Sequence, residues 1–219
     1  MTPVDLEPAT RRMAALVRGV PDELLDGPTP CPEYTLGDLL DHVGGLSLAF
    51  TAAATKTAGD AASSQGPSGD ASRLGDDWRT RIPRDLAALA EAWREPVAWS
   101  GMTQAGGVEL PGEVAGVVAL DELVIHGWDV ARASGQAYDC DVRLLEVVHD
   151  FVAQFTGPGQ EASRGTLFGP VVEVADDAPL LDRVIGLTGR DPAWSPSSAG
   201  DWPPSDSETR DPQGWRRST

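Results

Sequence analysis

The chain has 219 residues, 41% of them hydrophobic and 23% charged, which is the balance of a globular protein long enough to bury a core. Its 17 Lys and Arg stand against 34 Asp and Glu, a formal net charge of -17. A surface that acidic repels nucleic-acid phosphates and anionic membrane headgroups, so both partner classes are disfavoured.

The first predicted helix runs from Val4 to Arg18, with Leu6, Met13, Leu16 and Val17 on one face at helical spacing. A proline-rich turn, Gly27-Pro28-Thr29-Pro30-Cys31-Pro32, follows it. The second helix carries the clearest start signal. Thr35 is placed to cap it, Asp38 completes a capping box with Asp in place of Glu, and Tyr34 and Leu39 occupy the hydrophobic-staple positions. It should continue to Ala54, with an apolar arc of Leu39, Val43, Leu46 and Phe50.

Residues 56–76 are rich in Gly, Ser, Ala and Asp and read as a mobile loop. A third helix spans Asp77 to Arg94, interrupted at Pro83, and the Gly-rich stretch 95–111 has room for a short hairpin. The fourth helix starts near Gly112, ends near Ser134 with Gly135 as C-cap, and is apolar almost all round, so it should be central. Further on, a helix is predicted over Val142–Phe155, a short strand over Leu167–Val174 and a short helix over Asp177–Leu187. Beyond Pro192 the chain is rich in Pro, Ser, Asp and Arg. Residues 1–192 are therefore expected to form an all-α four-helix bundle with a long loop between helices 2 and 3 and a small C-terminal extension, and residues 193–219 a polar, disordered tail.

Residues 1–20 show no basic segment followed by an apolar run, and no stretch reaches the roughly 18 apolar residues of a membrane span. Cys31 and Cys140 are too few for a disulfide scaffold. These features predict a cytoplasmic protein.

The chemistry-bearing residues converge on the histidines. There are three, His42, His126 and His149. Glu122 and His126 are four apart on the buried helix, about one turn or roughly 6 Å, so both project from one face. They flank the stripe of Val114, Val118 and Ile125, an expensive place for a carboxylate unless it is paired or binds a metal. With His42 from another helix they form a candidate metal site. Two imidazoles and a carboxylate suit Zn²⁺ with one position left open, and the same set serves Fe(II), with Ni²⁺ a further option. The competing reading of each residue is structural: His42 as a satisfied core histidine, Glu122 paired to an arginine such as Arg132. His149, beside Asp150, reads as a surface or packing residue. No G-x-S-x-G elbow, phosphate loop or dinucleotide fingerprint occurs in the right context.

The segment Pro28-Thr29-Pro30-Cys31-Pro32-Glu33-Tyr34-Thr35-Leu36-Gly37-Asp38-Leu39-Leu40-Asp41-His42-Val43-Gly44 resembles the N-terminal motif of the mycothiol-dependent maleylpyruvate isomerase metal-binding domain family, within the DinB-like superfamily. Asp121-Glu122-Leu123-Val124-Ile125-His126-Gly127-Trp128-Asp129-Val130-Ala131-Arg132-Ala133 is similar to its second motif. A closing segment, Ala178 to Arg183 and Gly189-Arg190-Asp191-Pro192, is similar to the shorter actinobacterial members. The resemblance implies a DinB-like up-down-down-up bundle holding a divalent metal, usually zinc, with His42, Glu122 and His126 as ligands. Asp129 matches a family position after the second histidine and implies a role orienting a ligand from behind. The resemblance also implies a low-molecular-weight thiol of the mycothiol type as cosubstrate, held as its thiolate by the metal.

Two departures stand out. Tyr34 occupies a position where many relatives have Trp. The isomerase itself has a further C-terminal domain supplying substrate contacts, which the stretch from Gly157 to Pro192 is too short to contain. The expectation is therefore a metal-dependent enzyme that uses such a thiol on a small electrophile, by S-transfer or thiol-assisted isomerisation, and could be a homodimer. The alternative is a non-catalytic metal-binding or stress-response module whose metal is structural or regulatory, with Cys31 as a fourth ligand.

Overall fold

The computed structural model describes residues 3–57, 68–157, 159–160, 164 and 167–196. Its bundle consists of α1 (Glu7–Gly19), α2 (Leu36–Thr55), α3 (Trp78–Arg94) and α4 (Gly112–Ser134). α1 and α2 each pack against both α3 and α4, which sets α1 across the core from α2. Among the described residues no helix is long and apolar enough to cross a membrane.

Local chemistry accounts for the ends of these helices. α1 begins at Glu7 rather than Val4, because the Asp5 carboxylate accepts the Glu7 N–H at 2.9 Å and Pro8 sits in the first turn, where its missing N–H costs nothing. The capping box of α2 is complete: Thr35 Oγ1 accepts from Asp38 N at 3.2 Å, and Asp38 Oδ2 accepts from Thr35 N at 3.0 Å. α2 ends on Lys56 in the left-handed conformation, and the Lys56 ammonium donates to the Ala98 carbonyl at 3.0 Å. α4 ends on Gly135 with φ 70°, the αL C-cap its sequence predicts.

The segment between α2 and α3 is tied down on its far side. Residues 58–67 lie outside the described residues. Of the loop expected over 56–76, residues 68–76 are described and part of them packs against the start of α2. A 3₁₀ turn over Ala71–Arg73 docks on the start of α2, where Asp38 Oδ1 accepts Ala71 N at 2.7 Å and Asp41 Oδ2 accepts Asp70 N and Arg73 Nε, each at 3.1 Å. α3 runs unbroken through Pro83. The proline stands in the second turn, where it removes a single i→i−4 bond, and its buried ring packs into the bundle.

The hairpin expected in the Gly-rich stretch is present as β1 (Met102–Ala105) paired antiparallel with β2 (Val108–Pro111). Gly106 and Gly107, with φ 57° and 77°, supply the two positive dihedrals that a two-residue turn of type I′ requires. Below it the core closes tightly. Trp93 Nε1 donates to the Phe50 carbonyl at 3.1 Å and Trp99 Nε1 to the Trp93 carbonyl at 2.7 Å, so both indoles bury their polar edge without penalty.

The C-terminal extension comprises α5 (Val142–Ala153) and α6 (Leu180–Leu187), which pack together, with α5 against α4. Leu167–Val174 is not a strand. Leu167 N and Phe168 N donate to the Arg164 carbonyl at 2.8 and 2.9 Å, while Gly169 N bonds Thr188 O at 3.2 Å and Val172 N bonds Gly186 O at 3.0 Å, at the end of α6; among the described residues no strand pairs with the segment. Phe151, Phe155 and Phe168 form a small aromatic cluster there. Trp194, just past the expected bundle boundary, packs on the core, and its carbonyl accepts from Arg132 Nη2 at 2.6 Å. The tail residues 197–219 lie outside the described residues.

Candidate metal centre

α2 and α4 bring the candidate ligands together. Ligand atoms of His42, Glu122 and His126 all lie within 4.8 Å of one another. Glu122 Oε2 is 3.0 Å from His126 Nε2 and 3.8 Å from His42 Nε2. The two imidazole rings meet edge to face, with centroids 5.0 Å apart and an interplanar angle of 89°. The Tyr34 ring, from the residue before the α2 cap, covers His42 at 5.2 Å.

The electrostatics explain why this arrangement suits a cation. Burial alone would push Glu122 up, yet hydrogen bonds from His126 and His42 hold its carboxyl far below the usual range. Among the described residues its ion-pair partners are the two imidazoles, with no Lys or Arg. Arg132, the arginine considered as its partner from the sequence, instead donates to the carbonyls of Pro192 and Trp194. All three side chains are largely covered, with 27% of the Glu122, 12% of the His42 and 10% of the His126 side-chain surface exposed.

Behind His126 lies a second layer. Asp129, one turn on and fully buried, places Oδ2 2.9 Å from His126 Nδ1. An Nδ1–H donated to Asp129 leaves the Nε2 lone pair facing Glu122 and His42, the orientation a metal ligand needs. Burial opposes charge on His126, but its bonds to Asp129 and Glu122 prevail and raise its pKa to about 9. Asp129 is in turn held low, against its burial, by the charge of Arg190 and by bonds from His126 and Arg190.

Other groups surround the triad without joining it. Asp121 is buried beside Glu122; desolvation and the Glu122 charge push its carboxyl up to about 8, and its Oδ1 has no hydrogen-bond partner. The Cys31 thiol is pushed up to about 11 by burial and then by Asp129, and Cys31 is not part of the ligand group. His149 sits on α5 with Asp150 3.5 Å away and contributes nothing to the site.

The donor set fits a metal: two imidazole nitrogens and a carboxylate oxygen match Zn²⁺ and equally Fe(II), and three protein ligands leave a coordination position free. Spacing pointed to His42, Glu122 and His126, and the fold gathers all three. The resemblance pointed to Asp129, which lies directly behind them. The residue that sequence reasoning missed as part of the site is Arg190. It lies 61 positions from Asp129 in a closing turn, so no local pattern linked it to the centre.

The chain is 33% identical over 184 residues to two uncharacterized proteins of Mycobacterium tuberculosis, one from strain CDC 1551 / Oshkosh and one from strain H37Rv; the match covers 81% of this chain and 91% of theirs. No solved structure matches it. Residues 6–131 match the family described as the mycothiol maleylpyruvate isomerase N-terminal domain, a range that includes all three candidate ligands and Asp129. With its all-α DinB-like bundle and this match, the chain belongs to the mycothiol maleylpyruvate isomerase N-terminal domain family.

Proposed function

We propose that the protein is a metal-dependent enzyme that uses a low-molecular-weight thiol of the mycothiol class on a small electrophilic molecule, by S-transfer or thiol-assisted isomerisation. The observation that carries this reading is the convergence of His42, Glu122 and His126, with no fourth protein ligand in the group among the described residues. Those three side chains would hold the cation, most suitably Zn²⁺. The cation would supply a Lewis acid that lowers the pKa of a bound thiol to near neutrality. The remaining work falls to the chain itself: Asp129 fixes the His126 ring, and Tyr34 shields His42 on one side.

Cys31 does not serve as the attacking thiol in this scheme, since burial keeps it protonated at neutral pH. The position of Cys31 outside the ligand group also weighs against a closed, purely structural metal site. The test is direct. The full chain, loaded with Zn²⁺ and given mycothiol or a simpler thiol, should consume a model electrophile, and Glu122→Ala should lose both the metal and the turnover. Equal turnover by chelator-treated and Zn²⁺-loaded protein would overturn the proposal.

A further inference from the structure

Arg190 lies outside the segment that defines the family match, on the turn after α6, yet it reaches the back of the metal centre. Its Nε donates to Asp129 Oδ1 at 2.7 Å and its Nη2 to Asp129 Oδ2 at 2.8 Å, a two-pronged grip on a carboxylate with no exposed surface. Asp129 Oδ2 also lies 2.9 Å from His126 Nδ1. One oxygen thus serves both the guanidinium and the ring, and three side chains form a continuous line from the C-terminal extension to a candidate metal ligand. A planar guanidinium engaging both oxygens fixes the rotation of the carboxylate, which a point charge cannot do.

We infer that Arg190 is a positioning residue for the metal centre, and that the C-terminal extension holds the binding geometry rather than merely covering the bundle. The inference rests on the proposal that His42, Glu122 and His126 hold a metal. Without Arg190, Asp129 can turn about its side-chain torsion, the His126 Nδ1 bond loses its fixed acceptor, and Nε2 no longer faces Glu122 and His42 in one orientation.

Arg132 provides the control. It ties the same extension to α4, but through the carbonyls of Pro192 and Trp194, and makes no bond to Asp129. The experiment titrates the full chain with Zn²⁺ against a chromophoric chelator, for the wild type, Arg190→Gln, Arg190→Lys, Arg132→Gln and Asp129→Asn. Thermal unfolding and the visible spectrum of the Co²⁺-loaded forms are recorded in parallel. Arg190→Gln should weaken Zn²⁺ binding by about 10- to 100-fold, the range for losing a partner behind a metal ligand. It should also alter the Co²⁺ spectrum as Asp129→Asn does. Arg132→Gln should lower the melting temperature with Zn²⁺ affinity close to wild type.

If Arg190→Gln fails to fold, Arg190→Lys keeps the charge while losing the planar grip, and it should show the same weakening in smaller degree. Wild-type affinity and spectrum in a folded Arg190 variant would overturn the inference. So would equal losses in Arg190→Gln and Arg132→Gln, which would reduce Arg190 to a role in stability. A wild-type chain that binds no Zn²⁺ would instead remove the functional reading beneath it.

Discussion

The Nε2 of His126 stands 3.0 Å from the Oε2 of Glu122, one turn earlier on α4, with no lysine or arginine on that carboxylate among the described residues. A buried acid whose partners are two imidazoles has a use for its charge that packing alone does not supply. Glu122→Gln keeps the shape and removes the charge. It should leave the helical fold intact by circular dichroism while weakening Zn²⁺ binding by more than about 100-fold, beyond the range for outer partners of a ligand. Undiminished metal content by elemental analysis of the purified variant would remove Glu122 from the ligand set.

The metal-free and metal-loaded proteins should respond to pH in opposite directions. Without metal, His126 has its pKa raised from 6.5 to about 9 by Asp129 and Glu122. A raised pKa contributes stability that is fully present below 6.5 and is lost as pH climbs through about 9. The metal-free melting temperature should therefore fall across that window. A metal needs the Nε2 lone pair and displaces the proton, so apparent Zn²⁺ affinity should rise by about tenfold per pH unit over the same interval. At the acid end Asp129 acts the other way: its lowered pKa stabilises the fold above its ordinary value of 3.8, and that share is lost as pH falls below it. Chelator-competition titrations from pH 6.5 to 9 would show a flat affinity if the imidazolium were not displaced.

How much of this was legible in the chain depends on sequence distance. The capping box at Thr35 and Asp38, the Gly135 C-cap and the Glu122–His126 spacing are local, and each was visible because its partners lie within a turn or two. The meeting of His42 with that pair required two helices to pack in a particular register, which the apolar arcs allowed but did not fix. Arg190 on Asp129 was invisible for the same reason, and so was the docking of Ala71–Arg73 on Asp38 and Asp41, where a polar composition reads as a loop whatever it binds. The residues at 167–174 read as a strand because they are largely apolar and include Val171, Val172 and Val174, and only the tertiary structure reveals that their backbone partners are the Arg164 carbonyl and carbonyls at the end of a helix.

The Thr35 cap holds the start of the helix that carries His42. Thr35→Ala removes the acceptor for Asp38 N and should destabilise the protein by about 1 kcal/mol. Asp38 also accepts Ala71 N at 2.7 Å, so Asp38→Ala should cost more than Thr35→Ala, because it frees both the helix start and the docked turn. Urea unfolding of the two variants ranks them, and equal midpoints would mean that the Ala71 bond adds nothing.

α4 passes tightly against Trp99, the tryptophan that precedes the hairpin. At Gly116 an added Cβ would fall 2.5 Å from Trp99 Cζ3, 2.6 Å from Trp99 Cη2 and 2.9 Å from Trp93 Cζ3. Neither indole can swing aside cheaply, since each is anchored by its Nε1–H to a backbone carbonyl. In the middle of a helix Gly→Ala ordinarily gains about 1 kcal/mol from propensity. Here overpacking of about 1–3 kcal/mol opposes that gain, so Gly116→Ala should range from neutral to about 2 kcal/mol destabilising. Gly116→Val adds two more methyl groups against the same rings, loses the propensity advantage of Ala and should unfold at clearly lower temperature. Gly116 lies nearly two turns before Glu122 on α4, so a shift of the helix to relieve the clash would carry the ligand pair with it. Both variants should therefore show weaker Zn²⁺ binding in proportion to their loss of melting temperature, and a Gly116→Val protein as stable as wild type would mean that the Trp93–Trp99 pair is free to repack.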